Sequence, residues 1–352
     1  MKKDETKNNK KKRKRQSSKL PPMVRLLQLI MGKMSTHLIF VAAKLGIADI
    51  LVDGPKNVDT IAKLTKTHPL NLYRTLRALT TLGIFAEIEH RVFASTPRSR
   101  LLQTNTPDSL RDWAIYCGSD WHNQTWSNLL YSVQTGEPAF DHIFGMGIFD
   151  YLEENPEHLK EYFNGLGSLN KLFSIAITNL YDFSKFQTIA DIGGGSGALL
   201  AEILKKNPLL HGILFDVPMV TTEANQILKS ANLEERCKIV SGDFLREVPI
   251  GADAYILKNI LHNWNDETSR NVLKNIRKEI PPNGTLLIIE TVIQSESERD
   301  VGKIFDMEMM LFLGGIERTE AEFRLLFESA GFKLTKIIPS QYFYYIIEGQ
   351  PI

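Results

Sequence analysis

The chain has 352 residues, 43% apolar and 24% charged, enough for two globular domains with their own cores. It contains no apolar run of about 18 residues to span a membrane. Its two cysteines, Cys117 and Cys237, form no CxxC pair, which fits a cytoplasmic protein and argues against a structural zinc site. The total charge of +1 hides an asymmetry: residues 1–20 carry +8, from ten Lys or Arg against two acids, so the remainder carries −7.

Residues 1–21 therefore read as a disordered basic tail. The run KKKRKR at 10–15 also fits a nucleic-acid arm or a localisation signal, but the acidic body would not itself hold a polyanion. No apolar stretch directly follows these charges, so no secretory signal is expected.

Residues 22–105 read as a helical unit ending in a small hairpin. VRLLQLIMGKM and STHLIFVAAKLGIADIL have helical spacing, and NVDTIAKLT follows. Pro69 then opens a helix that Gly83 closes, and IFAEIEHRVFAST alternates like two strands. Helix, turn, helix and hairpin make a winged-helix order, which by itself suggests DNA binding. The would-be recognition helix, however, presents Leu70, Leu72, Leu76, Leu79 and Leu82 and only Arg74 and Arg77. Such a face suits packing or dimerisation better than base reading.

Residues 106–180 are helical and rich in aromatics, among them Trp113, Trp121, Trp126 and Phe140. Aromatics at helical spacing build cores; they also line pockets for flat ligands, and both readings stay open.

From residue 181 to 352 strand and helix signals alternate. Strands are expected at 188–192, 212–216, 238–242, 254–258 and 285–290, and two more near 332–338 and 342–349. Helices are expected at 198–206, 218–230, 266–279 and 319–330, the last opened by the capping box Thr319-x-x-Glu322. Alternation of this kind predicts a doubly wound α/β sheet. The last two strands lack a helix between them and should form an antiparallel hairpin.

The first of these strands runs into DIGGGSG, with Asp191, Gly193, Gly195 and Gly197, before the helix at 198. Glycines at a strand-to-helix turn let the backbone approach a ligand closely. The spacing fits both the G-x-G-x-x-G/A dinucleotide fingerprint and the acid-x-Gly-x-Gly-x-Gly loop of S-adenosylmethionine (SAM) methyltransferases. Three features favour SAM: the loop comes late, with too little chain after it for a second βαβαβ half; Asp216 closes the second strand; and Asp243-Phe244 follows the third. A carboxylate at the second position suits ribose hydroxyls, and an acid beside an aromatic suits adenine. Lys258 ends the fourth strand.

With LFDVP, GDF, LKNILHNW, IIETV and GIERTEAEF, these residues strongly resemble the plant-type and bacterial small-molecule O-methyltransferases, from about Pro22 onwards. The resemblance implies a winged-helix dimerisation domain followed by a Rossmann-like SAM domain, a homodimer, and no metal, membrane or nucleic-acid partner. It implies that Gly193 and Gly195 contact SAM, Asp216 holds ribose, Asp243 and Phe244 hold adenine, and Lys258 approaches adenosine. His262 becomes the general base, flanked by Glu290 and Glu317, for methyl transfer to an aromatic or polyketide-like hydroxyl. Asn263 stands where many relatives have Asp, so any charge at that position is lost. Asp306 and Met310, in FDMEMM, with Trp113 and Trp126, are candidates for the acceptor pocket. Two rivals remain: the same fold using SAM without methyl transfer, and a winged-helix DNA-binding regulator.

Overall fold

The computed structural model describes residues 20–294, 300–340 and 343–352, without the side chains of 171–172 and 219–223. The basic run at 10–15 lies outside these residues. The chain divides into two compact units, Met1–Thr104 and Asn105–Ile352.

In the first unit, helices Pro22–Ile30, Gly32–Lys44 and Ile47–Ile50 precede the pair Val58–Thr65 and Pro69–Thr81. Asn57 caps the Val58 helix, its side chain accepting from the Asp59 N–H at 2.9 Å. The expected hairpin forms from β2 (Phe85–Glu89) and β3 (Val92–Ser95). A two-residue strand without a sequence signal of its own, β1 (Lys56–Asn57), joins the far side of β3. On the Pro69 helix Leu72, Leu76 and Leu79 are fully buried, but Leu70 is 55% exposed and does not belong to the packed face. Helix Pro22–Ile30 buries nothing: Met23, Leu26, Leu27, Leu29 and Ile30 are all exposed.

The second unit opens with helices from Arg111 to the long Pro156–Leu180. The strands that follow are β4 (Thr188–Ile192), β5 (His211–Asp216), β6 (Cys237–Ser241), β7 (Ala254–Lys258), β8 (Thr285–Ile293), β9 (Arg318–Thr319), β10 (Phe332–Pro339) and β11 (Tyr344–Pro351). The main sheet has the order β10-β11-β8-β7-β4-β5-β6, parallel from β8 to β6, with β11 antiparallel to both β8 and β10. The predicted doubly wound sheet and terminal hairpin are both present. Each central strand is apolar on both faces, as a sheet covered by two helical layers requires. On one side Ile192, Leu257 and Ile288 pack with the helices Asp266–Glu279 and Glu320–Ser329. On the other, Ile189, Ile256 and Leu287 pack with Pro156–Leu180 and Ala198–Lys206.

Strand order reverses at β4, whose neighbours are β5 and β7. The crevice outside the carboxyl ends of strands at such a reversal is where doubly wound sheets bind ligands. The glycine loop leaves β4 at this point.

Candidate active site

The loop after β4 is built from left-handed backbone: Gly193, Gly195 and Gly197 have φ of 67°, 57° and 75°. A Cβ on Gly193 would lie 2.4 Å from Ile260 Cδ1, and one on Gly194 2.3 Å from Leu214 Cδ1. At Gly195, by contrast, a Cβ would meet nothing within 4 Å, so this glycine faces open space. The loop is tied down by the Gly193 N–H to the Phe215 carbonyl (2.7 Å) and the Gly195 N–H to Asp216 Oδ2 (2.8 Å). The other Asp216 oxygen accepts from the Val217 N–H at 2.7 Å. Burial raises the Asp216 carboxyl above its ordinary value, and these two N–H donors oppose that rise.

Asp191 is buried, and neither of its carboxyl oxygens has a hydrogen-bond partner among the described residues. Burial pushes its pKa up to about 7, against the pull of Lys258. Lys258, at the end of β7, is pushed down to about 8 by its own burial, with Asp191 opposing. Its Nζ donates to Asn170 Oδ1 of the long helix at 2.5 Å and lies 5.7 Å from the centre of the Tyr344 ring. Asp243 turns back on its own loop, accepting from the Leu245 N–H (2.9 Å) and facing Arg246 (3.4 Å). Phe244 reaches the glycine loop, with Cε1 3.5 Å from where a Gly193 Cβ would stand.

Beyond β7 the chain makes a tight turn. Asn259 takes a left-handed φ of 57°, and a single 3-10 turn, Leu261–Asn263, carries His262. His262 is buried, and its Nδ1 lies 2.8 Å from Glu317 Oε1. A carboxylate only accepts, so in the neutral imidazole Nδ1 bears the hydrogen and Nε2 keeps its lone pair. Burial alone would lower the imidazole pKa. Glu317, by charge and hydrogen bond, outweighs burial and leaves it raised.

Glu290 binds the backbone of the turn. Its Oε1 accepts the backbone N–H groups of Ile260 (3.0 Å), Leu261 (2.6 Å) and His262 (3.1 Å). Its charge also helps raise the imidazole, so Glu290 acts on His262 through the peptide as well as through the field at the ring. Asn263 acts just as locally. Its Nδ2 donates to the Asn259 carbonyl at 3.2 Å, closing the turn. A carboxylate there could not donate.

Two residues of the GIERTEAEF segment with no role expected from the sequence, Arg318 and Gly315, complete the turn. Arg318 is buried beneath it, donating to the carbonyls of Leu261 (3.0 Å) and Trp264 (2.9 Å), to Ser269 Oγ (3.2 Å) and to Asp266 (2.9 Å). Glu290 thus satisfies the turn's donors and Arg318 its acceptors. Gly315 passes so close that a Cβ on it would sit 2.0 Å from the His262 carbonyl oxygen, and that same oxygen accepts the Ile316 N–H at 2.8 Å. β9 then pairs in parallel with the end of β8 and fixes Glu317 beside the histidine.

Asp306 also proves to be part of this support. Its Oδ1 accepts the Glu317 N–H at 2.8 Å. Two residues on, Glu308 accepts from Tyr116 Oη (2.9 Å), pairs with His122 Nε2 (2.9 Å) and accepts from Trp126 Nε1 (2.7 Å). Trp113 stacks on Tyr116, centroids 5.2 Å apart, and lies 6.3 Å from Phe305, which stacks on Phe343 at 4.6 Å. Met310 is half-buried on the same helix. No group of three or more His, Cys, Asp or Glu with metal-holding geometry occurs among the described residues.

A family model for the O-methyltransferase domain matches residues 126–333, and one for the O-methyltransferase dimerisation domain matches residues 27–105. The chain is similar to the phenazine O-methyltransferase PhzM of Lysobacter antibioticus, 41% identical over 327 residues that cover 93% of this chain and 96% of the relative. It is 32% identical over 329 residues to the 8-amino-8-demethylriboflavin N,N-dimethyltransferase of Streptomyces davaonensis, covering 92% and 94%. Among solved structures it resembles CalO1, a methyltransferase in calicheamicin biosynthesis in its SAH-bound form. That match has a TM-score of 0.84 and 31% identity over 95% of this chain and 99% of that one.

Proposed function

Because the chain belongs to the O-methyltransferase family, we propose that it transfers a methyl group from SAM to a hydroxyl of a small aromatic or polyketide-like molecule, with His262 as general base. The observation that carries this is the buried His262–Glu317 pair, set on a braced turn one strand from the glycine loop.

The crevice suits the cofactor. Gly195 leaves room for a ligand against bare backbone, and Asp216 is held with one lone pair on each oxygen free for the two ribose hydroxyls. Phe244 beside Gly193 offers a face for adenine, and Asp243 an acceptor for its amino group. Lys258, engaged with Asn170, retains further N–H donors for the adenosine side. Asp191 carries unpartnered oxygens beneath the loop. When bound, SAM supplies a methyl group already activated as a sulfonium.

What the protein itself must add is alignment and proton removal. His262 Nε2 takes the acceptor's hydroxyl proton as the new O–CH3 bond forms and the S–CH3 bond breaks, the sulfur keeping the electron pair. Glu317 faces the resulting imidazolium across 2.8 Å and stabilises it. The same arrangement serves an arylamine, which also sheds a proton on methylation, and the N,N-dimethyltransferase relative makes nitrogen the second candidate acceptor atom.

Incubation with methyl-labelled SAM and matched panels of phenols, naphthols and arylamines tests the reading. Label on the phenolic products is expected; label on the amines alone moves the acceptor atom to nitrogen, and unconsumed SAM with any other product supports non-methylating chemistry. The exposed apolar residues of helix Pro22–Ile30, which overlaps the segment matched to the dimerisation domain, support a homodimer.

The base works only when neutral, so kcat should rise with pH through the raised His262 pKa. Glu317→Gln removes the charge that raises it. The acid limb should then move to lower pH while the plateau falls, as read from kcat between about pH 5 and 9 at saturating SAM. Asp216→Ala should weaken SAM binding about tenfold or more, the scale of a lost charge-assisted hydrogen bond. Isothermal titration with S-adenosylhomocysteine checks this, and unchanged affinity removes the ribose role.

A further inference from the structure

The helix Gly302–Phe312 reaches Glu317, the partner of the base, on one side and an aromatic cluster on the other. Asp306 holds the Glu317 N–H, and Glu308, about 3 Å further along the axis, is the buried acid of the cluster. Phe305 and Glu308, three residues apart, share one face of the helix. Phe305 lies against Trp113 and Phe343, while Glu308 meets Tyr116, His122 and Trp126. The result is a run of near-parallel rings, with 30° between Trp113 and Tyr116, 33° between Trp113 and Phe305 and 29° between Phe305 and Phe343, and a carboxylate at one end.

Three side chains, Tyr116, His122 and Trp126, converge on the Glu308 carboxyl despite its burial. Burial pushes its carboxyl up, but His122, Trp126 and Tyr116 more than offset this and hold it below the ordinary glutamate value. Its charge is felt around it: after burial, Glu308 is the next cause raising the Tyr116 hydroxyl, the Cys117 thiol and the Tyr162 hydroxyl, the last to about 12. Its side chain keeps 12% exposure, and Oε2 accepts from Trp126 with a lone pair to spare.

Building on the methyltransferase reading, we infer that Glu308 selects the acceptor. It favours planar aromatic molecules carrying an N–H donor or positive charge, an amino group or protonated ring nitrogen, and rejects those carrying a carboxylate at that end. Trp113 and Phe305 supply the flat faces, and Glu308 supplies the sign. A like charge brought against a buried carboxylate is strongly disfavoured.

The test uses three planar probes of similar shape: 1-naphthol, 5-amino-1-naphthol and 5-hydroxy-1-naphthoate. Their affinities for the full chain loaded with S-adenosylhomocysteine are measured by titration calorimetry. The wild type should bind the amino probe at least tenfold more tightly than the carboxylate, with 1-naphthol between them. Glu308→Gln, which keeps shape and removes charge, should shrink that ratio at least tenfold, chiefly by tighter carboxylate binding, with S-adenosylhomocysteine affinity unchanged. Trp126→Phe, which leaves the charge in place, should preserve the order.

A Glu308→Gln protein that weakens all three probes by one common factor overturns the inference and leaves Glu308 a structural clamp. So does a wild type that binds the carboxylate as well as the amine, or that binds none of the three. Methyl transfer is judged separately by the label assay, so loss of this selectivity and loss of the methyltransferase reading are distinct results. If Glu308→Gln fails to fold, the wild-type ranking and Trp126→Phe still decide.

Discussion

His262→Ala is expected to lower kcat by about 10²–10⁴-fold, the usual contribution of a positioned general base, and to leave SAM affinity unchanged. The separation follows from the architecture. Most groups proposed for the cofactor stand on the loop after β4 and at the ends of β5 and β6; Lys258 ends β7, and His262 stands on the separate turn beyond it. The turn does not depend on the imidazole: Glu290 and Arg318 hold its backbone through hydrogen bonds to main-chain groups. Alanine therefore removes the base and leaves the turn. Single-turnover rates with a labelled methyl group, beside titration of S-adenosylhomocysteine, check both halves. A wild-type rate would end the assignment, and a parallel loss of affinity would mean that His262 helps hold the cofactor.

The second large effect is expected from a single methyl group. Gly315→Ala places a Cβ 2.0 Å from the His262 carbonyl oxygen, with Asn263 backbone atoms only 2.9 Å away. These are main-chain atoms that cannot swing aside as a side-chain end would. Either the segment bearing Ile316 and Glu317 retreats, breaking the Ile316 N–H bond to the His262 carbonyl, or the histidine turn shifts. Both separate Glu317 from the imidazole. Overpacking of this kind costs about 1–3 kcal/mol, and kcat should fall at least tenfold because a misplacement of about 1 Å at a reacting group is enough for that. Urea unfolding gives the first quantity and steady-state kinetics the second. Gly314→Ala is the comparison: its Cβ would meet only Pro138 side-chain atoms, at 3.3 Å, although its φ of 64° still disfavours alanine.

The sheet and the glycine loop are legible in the sequence because each leaves a local mark, whereas His262 is reached through the family resemblance of LKNILHNW. Strand runs, glycine spacing and the Thr319 capping box need only neighbours to be recognised. What escaped was the bracing. Glu290 reaches backbone donors 28 to 30 residues away, and Arg318 bonds carbonyls 54 and 57 residues away. A carboxylate that binds backbone looks in sequence like one that binds a side chain, so its target could not be read. Glu308 does leave a signal, an acid inside the apolar run FDMEMMLF, but its three partners lie 182 to 192 residues away.

The position of β11 has a consequence for how the molecule comes into being. β8 carries Glu290, and its partner on that side, β11, is the latest strand in chain order, with Tyr345 opposite Glu290 in the register. While the polypeptide is being made, β8 must therefore wait as an open edge, its hydrogen-bonding groups bare on one side. The catalytic face cannot close until β10 and β11 have emerged and β11 has slotted between β10 and β8. Nascent chains stalled within that interval are the ones exposed to strand-edge aggregation. Chaperone demand and yield on expression should respond more to substitutions in the β10–β11 hairpin than to equally destabilising ones around the glycine loop.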